Sequence, residues 1–161
     1  MKTENSNKTF LRALSKAQYL CSRQEKCLFD IEKKLIEWDV PDKFHEKILR
    51  ELKREKYIDE KRFAESYVRG KFKINKWGKI KIKHALTGKS INAEIINQAI
   101  LTEIPDEEYQ TVLTNLLYGK NRGIKGPSGL SRLTKLIKYA TAKGFEYDLV
   151  KKIAEHFTNP Y

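Results

Sequence analysis

The residues best suited to chemistry are widely scattered in this sequence of 161 residues. Gly88-Lys89-Ser90 looks like the end of a phosphate-binding loop, but that motif needs a glycine five residues before Gly88, where Lys83 stands. The three histidines have no metal-ligand spacing among themselves or with the two cysteines. No Ser–His–Asp or paired-carboxylate arrangement can be argued from the spacing. We therefore predict no catalytic site, no metal and no cofactor, and expect the protein not to be an enzyme.

Several protein classes are excluded by composition. Two cysteines, Cys21 and Cys27, cannot build a disulfide framework and are expected to be small core residues on adjoining helices. No apolar run approaches the roughly 20 residues that a membrane helix needs, and the first residues lack the apolar core of a signal peptide. The length suits one ordinary domain or an array of small units. The sequence therefore predicts a cytoplasmic protein with no membrane contact.

Cationic side chains are abundant and unevenly placed. Lysine and arginine number 33 against 21 acids, which gives a formal net charge of +12. Two blocks contain no acid. The first holds Arg69, Lys71, Lys73, Lys76, Lys79, Lys81, Lys83 and Lys89, and the second holds Lys120, Arg122, Lys125, Arg132, Lys135 and Lys138. Such blocks favour a surface that binds phosphates or an acidic partner. The acids Glu103, Asp106, Glu107 and Glu108 are expected to favour the start of the helix after Pro105.

Apolar spacing predicts helices along the whole chain. Residues 26–38, 42–56 and 147–157 carry apolar side chains three or four apart, and further helices are placed at about 9–21, 59–73 and 106–118. The basic segment 119–129 has four glycines and a proline and is predicted to be a mobile loop. Parts of 71–83 alternate with period two, as in a short edge strand. The repeat described next favours a helix over 79–86 instead.

The sequence repeats with shifts of 51 and then 54 residues. The matching positions are Ile31, Leu35, Val40, Phe44 and Ile48, then Ile82, Leu86, Ile91, Ile95 and Ala99, then Leu136, Ala140, Phe145, Leu149 and Ile153. Each unit is thus a helix, a turn with one apolar residue and a second helix, preceded by a looser helix. We predict an all-α fold of tandem three-helix repeats at 9–57, 58–104 and 105–158, forming an elongated, curved array.

Local signals refine the turns and the aromatic positions. Ile91 is spaced to pack as a staple against the following helix, Asn92 suits a helix N-cap and Pro41 suits a first helical turn. Trp77 and Phe72 lie in the first cationic block and could stack on bases or on a partner, although we favour core positions. The aromatic residues expected to serve packing are Tyr57, Phe63 and Trp38.

Three stretches resemble the bacterial RecX regulatory proteins. The first is Ser22-Arg23-Gln24-Glu25, which looks like the family's opening of the second helix, with Ser22 and Glu25 spaced as a capping box. The second and most specific runs from Leu52 through Tyr57-Ile58-Asp59-Glu60-Lys61-Arg62-Phe63 to Val68. The third is Gly78-Lys79-Ile80-Lys81-Ile82-Lys83-His84-Ala85-Leu86, ending Lys89-Ser90-Ile91. Here Ser90 replaces the family's usual glycine. The third unit matches only through Gly144-Phe145 and its apolar spacing.

The resemblance implies a specific role. RecX proteins bind the recombinase RecA, lie in the groove of its filament on DNA, and inhibit strand exchange and ATP hydrolysis without a catalytic site of their own. A function in DNA repair, homologous recombination and the SOS response follows. Two alternatives stay open: a general DNA-binding protein with helix-turn-helix units, and a protein adaptor that uses a face of the array.

The expected partners are RecA and the RecA–DNA filament, with weak DNA binding that does not depend on sequence, and the protein is expected to be a monomer. The candidate contacts with RecA or DNA are Arg69, Lys73, Lys76, Lys79, Lys83, Lys120, Arg122 and Lys125. Each is expected to contribute modestly, through charge more than geometry.

Overall fold

A computed structural model describes residues 2–126 and 129–158, and all regular structure in these ranges is helical. The helices are α1 (Lys2–Arg23), α2 (Leu28–Glu37), α3 (His45–Arg54), α4 (Glu60–Lys73), α5 (Lys79–Gly88), α6 (Ala93–Glu103), α7 (Asp106–Gly123), α8 (Leu130–Ala142) and α9 (Tyr147–Thr158), with a 3-10 turn at Asp42–Phe44 before α3. The helix expected over 79–86 is confirmed, and the strand alternative for 71–83 is wrong.

Burial confirms the repeat. The first two matching positions of all three units are fully buried: Ile31, Leu35, Ile82, Leu86, Leu136 and Ala140. The apolar turn residues Val40, Ile91 and Phe145 are also buried. The sequence shift thus aligns residues in equivalent environments. The fold is an all-α set of three-helix repeats, as predicted.

The second helix of every unit ends in the same hydrogen-bonded turn. The N–H of the apolar turn residue donates to the carbonyl five residues earlier, joining Val40 to Leu35, Ile91 to Leu86 and Phe145 to Ala140. The residue before it adopts a left-handed conformation, with φ of 54° at Asp39, 59° at Ser90 and 94° at Gly144. This pattern is a Schellman motif, in which the apolar residue packs back on the helix it follows. The repeated apolar residue therefore closes one helix before the next begins.

Replacing Ser90 with glycine should stabilise the protein. A left-handed conformation costs a residue with a Cβ about 1–2 kcal/mol, and the greater freedom of glycine in the unfolded chain offsets part of the gain. We expect Ser90→Gly to raise the free energy of unfolding by about 0.5–1 kcal/mol and the melting temperature by about 1–4 °C. The same change inside α4, Ser66→Gly, should lower the melting temperature. A lower melting temperature for Ser90→Gly would contradict this reading of the turn.

The helices enclose two apolar cores. The first lies among α1, α2 and α3 and includes Ile58. The second is shared by the helices from α4 to α9 and also takes in Cys27. The accessible surface of 10739 Å² exceeds the about 8,300 Å² expected for a compact monomer of this mass, as an elongated array requires. The predicted bounds of the three units stay a prediction.

Two helix starts differ from the sequence expectation. α1 continues through Ser22, whose hydroxyl donates to the Tyr19 carbonyl, so the Ser22–Glu25 capping box is wrong. α2 begins instead after Cys27, whose N–H donates to the Asp30 carboxylate at 3.5 Å. Pro41 precedes the 3-10 turn rather than lying in the first turn of α3. The Asn92 cap is confirmed, since its Oδ1 accepts the Glu94 N–H at 2.8 Å.

The loop predicted over 119–129 is shorter than expected. α7 continues to Gly123, so Lys120 and Arg122 lie on its last turn. The described part of the link is held by Arg132, whose guanidinium donates to the carbonyls of Asn121, Ile124 and Gly126. A long helix with anchored carbonyls replaces the predicted mobile loop. Residues 127 and 128 of the predicted loop lie outside the described residues.

Candidate functional site

The eight candidate contact residues are distributed over units two and three. Arg69 and Lys73 lie on α4, Lys76 in the link before α5, Lys79 and Lys83 on α5, Lys120 and Arg122 at the end of α7, and Lys125 in the link before α8. The side chains of Lys73, Lys83 and Lys125 are exposed and make no hydrogen bond or ion pair within the described ranges. These three are therefore available to an outside partner.

Arg69 and Lys79 have acidic partners within the protein. The Arg69 guanidinium donates to both Glu103 oxygens, at 2.9 and 2.7 Å. These hydrogen bonds lower the pKa of Glu103 and raise the pKa of Arg69. The Lys79 ammonium contacts Asp106 at 2.9 Å. Two acids of the cluster around Pro105 thus bind candidate contact residues, and Asp106 also lies in the first turn of α7, as expected.

Tyr109 joins units two and three through its hydroxyl. The hydroxyl accepts the Lys79 N–H at 3.1 Å and donates to the Glu146 carboxylate at 2.6 Å. Burial, aided by the hydrogen bond to Glu146, raises the pKa of Tyr109. Its ring stacks on Phe145 with centroids 5.0 Å apart. The phenol therefore stays protonated and fixes the start of α5 against the start of α9.

The two units also meet backbone to backbone. The Gly78 N–H donates to the Lys143 carbonyl at 2.8 Å, and the Ile80 N–H donates to the Gly144 carbonyl at 3.0 Å. A Cβ at Gly78 would lie 2.2 Å from the Gly144 carbonyl carbon and oxygen. Only a residue without a side chain permits this approach. The contact fixes the cationic segments of the two units beside one another.

Lysines and aromatic rings form a strip across this contact. The Lys71 and Lys81 ammonium groups lie 4.7 and 4.5 Å from the Trp77 ring centroid. The Lys143 ammonium lies 3.5 Å from the Asn75 carbonyl and 5.9 Å from the Tyr139 centroid. Lys120 lies 5.1 Å from the same Tyr139 centroid. We call this set the junction strip: Lys71, Trp77, Lys81, Lys120, Tyr139 and Lys143. It places four ammonium groups and two aromatic rings of two units on one continuous surface.

A cleft lies beside the strip, between the end of α7 and α8. Its volume is about 550 Å³, and its walls include Lys120, Ile124, Lys125, Lys135, Lys138 and Tyr139. No acid lines it among the described residues. We call this feature the third-unit cleft. It combines four ammonium groups with an apolar floor.

Sequence reasoning missed part of this surface. Lys71, Lys81, Lys135 and Lys138 were visible in the acid-free blocks, but nothing in their spacing indicated an aromatic neighbour. Lys143 follows the second block, and its place beside unit two depends on a contact between distant residues. The aromatic assignments are confirmed for Phe72 and Phe63, which are buried, whereas Trp77 is half-buried.

The phosphate-loop look-alike has a different structure. Gly88 ends α5, Ser90 forms the left-handed turn, and the Lys89 ammonium contacts the Asp30 carboxylate of unit one at 2.5 Å. Within 2–126 and 129–158, no group of three or more His, Cys, Asp or Glu side chains is placed to hold a metal ion. The helices of the same ranges include none long and apolar enough to cross a membrane. Lys89 therefore joins two units here.

Comparison with known proteins finds similarity to RecX proteins. A profile described as RecX, second three-helix domain, matches residues 59–100. Regulatory protein RecX of Clostridium acetobutylicum is 28% identical over 147 residues, covering 89% of this chain and 68% of that protein. A crystal structure of regulatory protein RecX superposes with a TM-score of 0.83 and 28% identity over 94% of this chain and 74% of that one. The chain is thus similar to RecX proteins in both sequence and fold over most of its length.

The RecX fold covers all three units. RecX from Lactobacillus salivarius superposes with a TM-score of 0.81 over 93% of this chain and 97% of that structure. At 23% identity this second likeness concerns the fold alone. RecX proteins are regulatory proteins by name. The three-helix repeat deduced from the sequence is thus the RecX repeat.

Proposed function

We propose that this protein binds RecA and its filament on DNA and inhibits the recombinase and ATPase activities, as a regulator of DNA repair and recombination. The observation that carries the proposal is the likeness to a RecX crystal structure over 94% of the chain. The protein acts by binding and is not an enzyme. It acts as a monomer and needs no cofactor.

The cationic surfaces of units two and three provide the means of binding. A RecA filament on DNA carries the phosphates of its nucleic acid, and lysines that neutralise phosphates release bound counterions. The side chains of Lys73, Lys83 and Lys125 are exposed and make no hydrogen bond or ion pair within the described residues. Arg69 and Lys79 are bound to Glu103 and Asp106. We therefore assign contact with the filament to Lys73, Lys76, Lys83, Lys120, Arg122 and Lys125, and a structural role to Arg69 and Lys79.

Removing two free lysines should weaken inhibition without unfolding the protein. Lys73 and Lys83 are exposed, so their replacement changes stability by less than about 0.5 kcal/mol. We expect half-inhibition of DNA-dependent ATP hydrolysis by RecA to require roughly ten times more of the Lys73→Ala, Lys83→Ala double variant than of the parent. Each lost phosphate contact lowers the affinity about fivefold at 0.1 M salt, and the cationic residues that remain offset part of this loss.

The control is a double variant with the same loss of charge on α1 and α3, Lys8→Ala with Lys53→Ala, both of which are exposed. It should inhibit RecA as the parent does. Equal inhibition by the parent and the Lys73→Ala, Lys83→Ala variant would remove these residues from the interface. A duplex reader of the helix-turn-helix class would instead show site-dependent nanomolar affinity for DNA without RecA.

A further inference from the structure

The third-unit cleft has a composition that the general basic surface does not share. Lys135, Lys138 and Tyr139 are spaced three and four residues apart on α8, which places them on one face of the helix. Lys120 and Lys125 enter the cleft from the opposite side, at the end of α7 and in the link after it. The cleft therefore brings cations to both sides of an aromatic ring.

Arg132 binds backbone carbonyls near the end of α7, next to the cleft. The end of a helix presents unpaired carbonyls and a partial negative charge. At the end of α7 the guanidinium binds the carbonyls of Asn121, Ile124 and Gly126. One of these carbonyls belongs to Ile124, which lines the cleft, and none of the lining residues is acidic.

We propose that the third-unit cleft binds single-stranded nucleic acid directly, with a base stacked on Tyr139 and the neighbouring phosphates on Lys135 and Lys138. This inference deepens the proposed function, on which it rests for the biological setting, but the binding itself requires no RecA. A positively charged groove with an aromatic stacking surface is the usual way in which proteins hold single strands. The cleft, with a volume of about 550 Å³, is widely open to solvent, as a groove that holds an extended strand must be.

The ring and the apolar floor favour a single strand over other polyanions. A duplex keeps its bases stacked and offers no free base face to Tyr139. An acidic peptide would pair with the lysines but would leave the floor formed by Ile124, Ala142 and the tyrosine ring without a partner. An unpaired nucleotide can place its phosphate on the lysines and stack its base on the tyrosine ring.

The test is the binding of a fluorescently labelled oligothymidylate to the full chain without RecA, measured by anisotropy at several salt concentrations. The Lys135→Ala, Lys138→Ala variant should bind roughly 25-fold more weakly at 0.1 M salt, and its log–log salt slope should fall by about 1.4, because two phosphate contacts with single-stranded DNA are lost. Tyr139→Leu should weaken binding at least about fivefold with little change in slope, because it removes stacking and no charge. Tyr139→Trp should retain the affinity, and its fluorescence should be quenched by the oligonucleotide.

The matched control is again the Lys8→Ala, Lys53→Ala variant, which should bind within twofold of the parent. The proposal is overturned if the parent does not bind oligothymidylate, if the control loses as much affinity as the cleft variant, or if polyglutamate of equal charge displaces the oligonucleotide as effectively as unlabelled oligothymidylate does. Inhibition of RecA by the same variants separates the two proposals. If the cleft variants inhibit RecA as the parent does and also bind the oligonucleotide as the parent does, the cleft assignment is refuted and the proposed function is unaffected.

Discussion

Gly78→Ala should destabilise the protein by about 3 kcal/mol. The backbone at Gly78, with φ of −76° and ψ of 165°, suits alanine, so the effect comes from contact alone. The added Cβ would lie 2.2 Å from the Gly144 carbonyl and 2.3 Å from the Phe145 nitrogen. These are backbone atoms, which cannot relieve the clash by changing rotamer as a flexible side chain can. Overpacking of this kind costs about 1–3 kcal/mol, and the two interunit hydrogen bonds, each contributing about 1 kcal/mol, would be lost as the units separate.

Urea unfolding measures this loss, and amide exchange locates it. Exchange should accelerate most at Gly78 and Ile80, whose N–H groups donate across the contact. The control is Gly70→Ala in α4, where an added Cβ has no neighbouring atom within 4 Å. This substitution should stabilise the helix by up to about 1 kcal/mol. If Gly78→Ala unfolded at the same urea concentration as the parent, the close contact between units two and three would be absent in solution.

Asp30→Ala should lower the free energy of unfolding by about 2 kcal/mol at pH 7. The Asp30 carboxylate accepts a hydrogen bond from the Lys89 ammonium at 2.5 Å and caps α2 through the Cys27 N–H. The two side chains are only 20% and 27% exposed, so the pair is partly shielded from water. A hydrogen bond to a charged group contributes about 1.5–3 kcal/mol. Its loss also leaves the Lys89 ammonium without its partner at the joint between units one and two.

The effect of Asp30 should depend on pH in a defined direction. Burial alone would raise the pKa of Asp30, but the hydrogen bonds from Lys89 and Cys27 outweigh it and lower the pKa. A lowered pKa in the folded state gives a stabilisation that is complete above the unfolded value of about 3.9 and is lost as the pH falls through the folded value. The difference in unfolding free energy between the parent and Asp30→Ala should therefore shrink below about pH 4.

Glu32→Ala is the matched control for Asp30, because it removes an exposed carboxylate from the same helix. Its effect should stay within about 0.5 kcal/mol at all pH values. A constant difference between the parent and Asp30→Ala from pH 7 to pH 3 would show that the carboxylate does not act through its charge.

The repeat was readable from the sequence because burial follows apolar periodicity. Ile31, Ile82 and Leu136 are equivalent in spacing and equally buried in the fold. Ser90 in place of glycine was also visible, although its left-handed conformation was not. Local rules therefore predicted the units and most of their helices.

The contacts between units were not readable, because they join residues far apart in sequence. The approach of Gly78 to Gly144 and the binding of Arg69 by Glu103 depend on how the helices pack, not on local spacing. The loop predicted at 119–129 failed for a related reason. Glycine and proline favour a loop locally, but α7 extends to Gly123 and Arg132 anchors the carbonyls that follow. Tertiary contacts thus outweighed local propensity at the site.

Under the proposed function, the cationic helical array acts on the RecA filament. The most direct measurement is ATP hydrolysis by RecA on single-stranded DNA as this protein is added from substoichiometric to equimolar amounts. We predict that hydrolysis falls at substoichiometric ratios and that higher salt weakens the inhibition. Unchanged hydrolysis at equimolar protein, at low salt and with a folded sample, would contradict the proposed function.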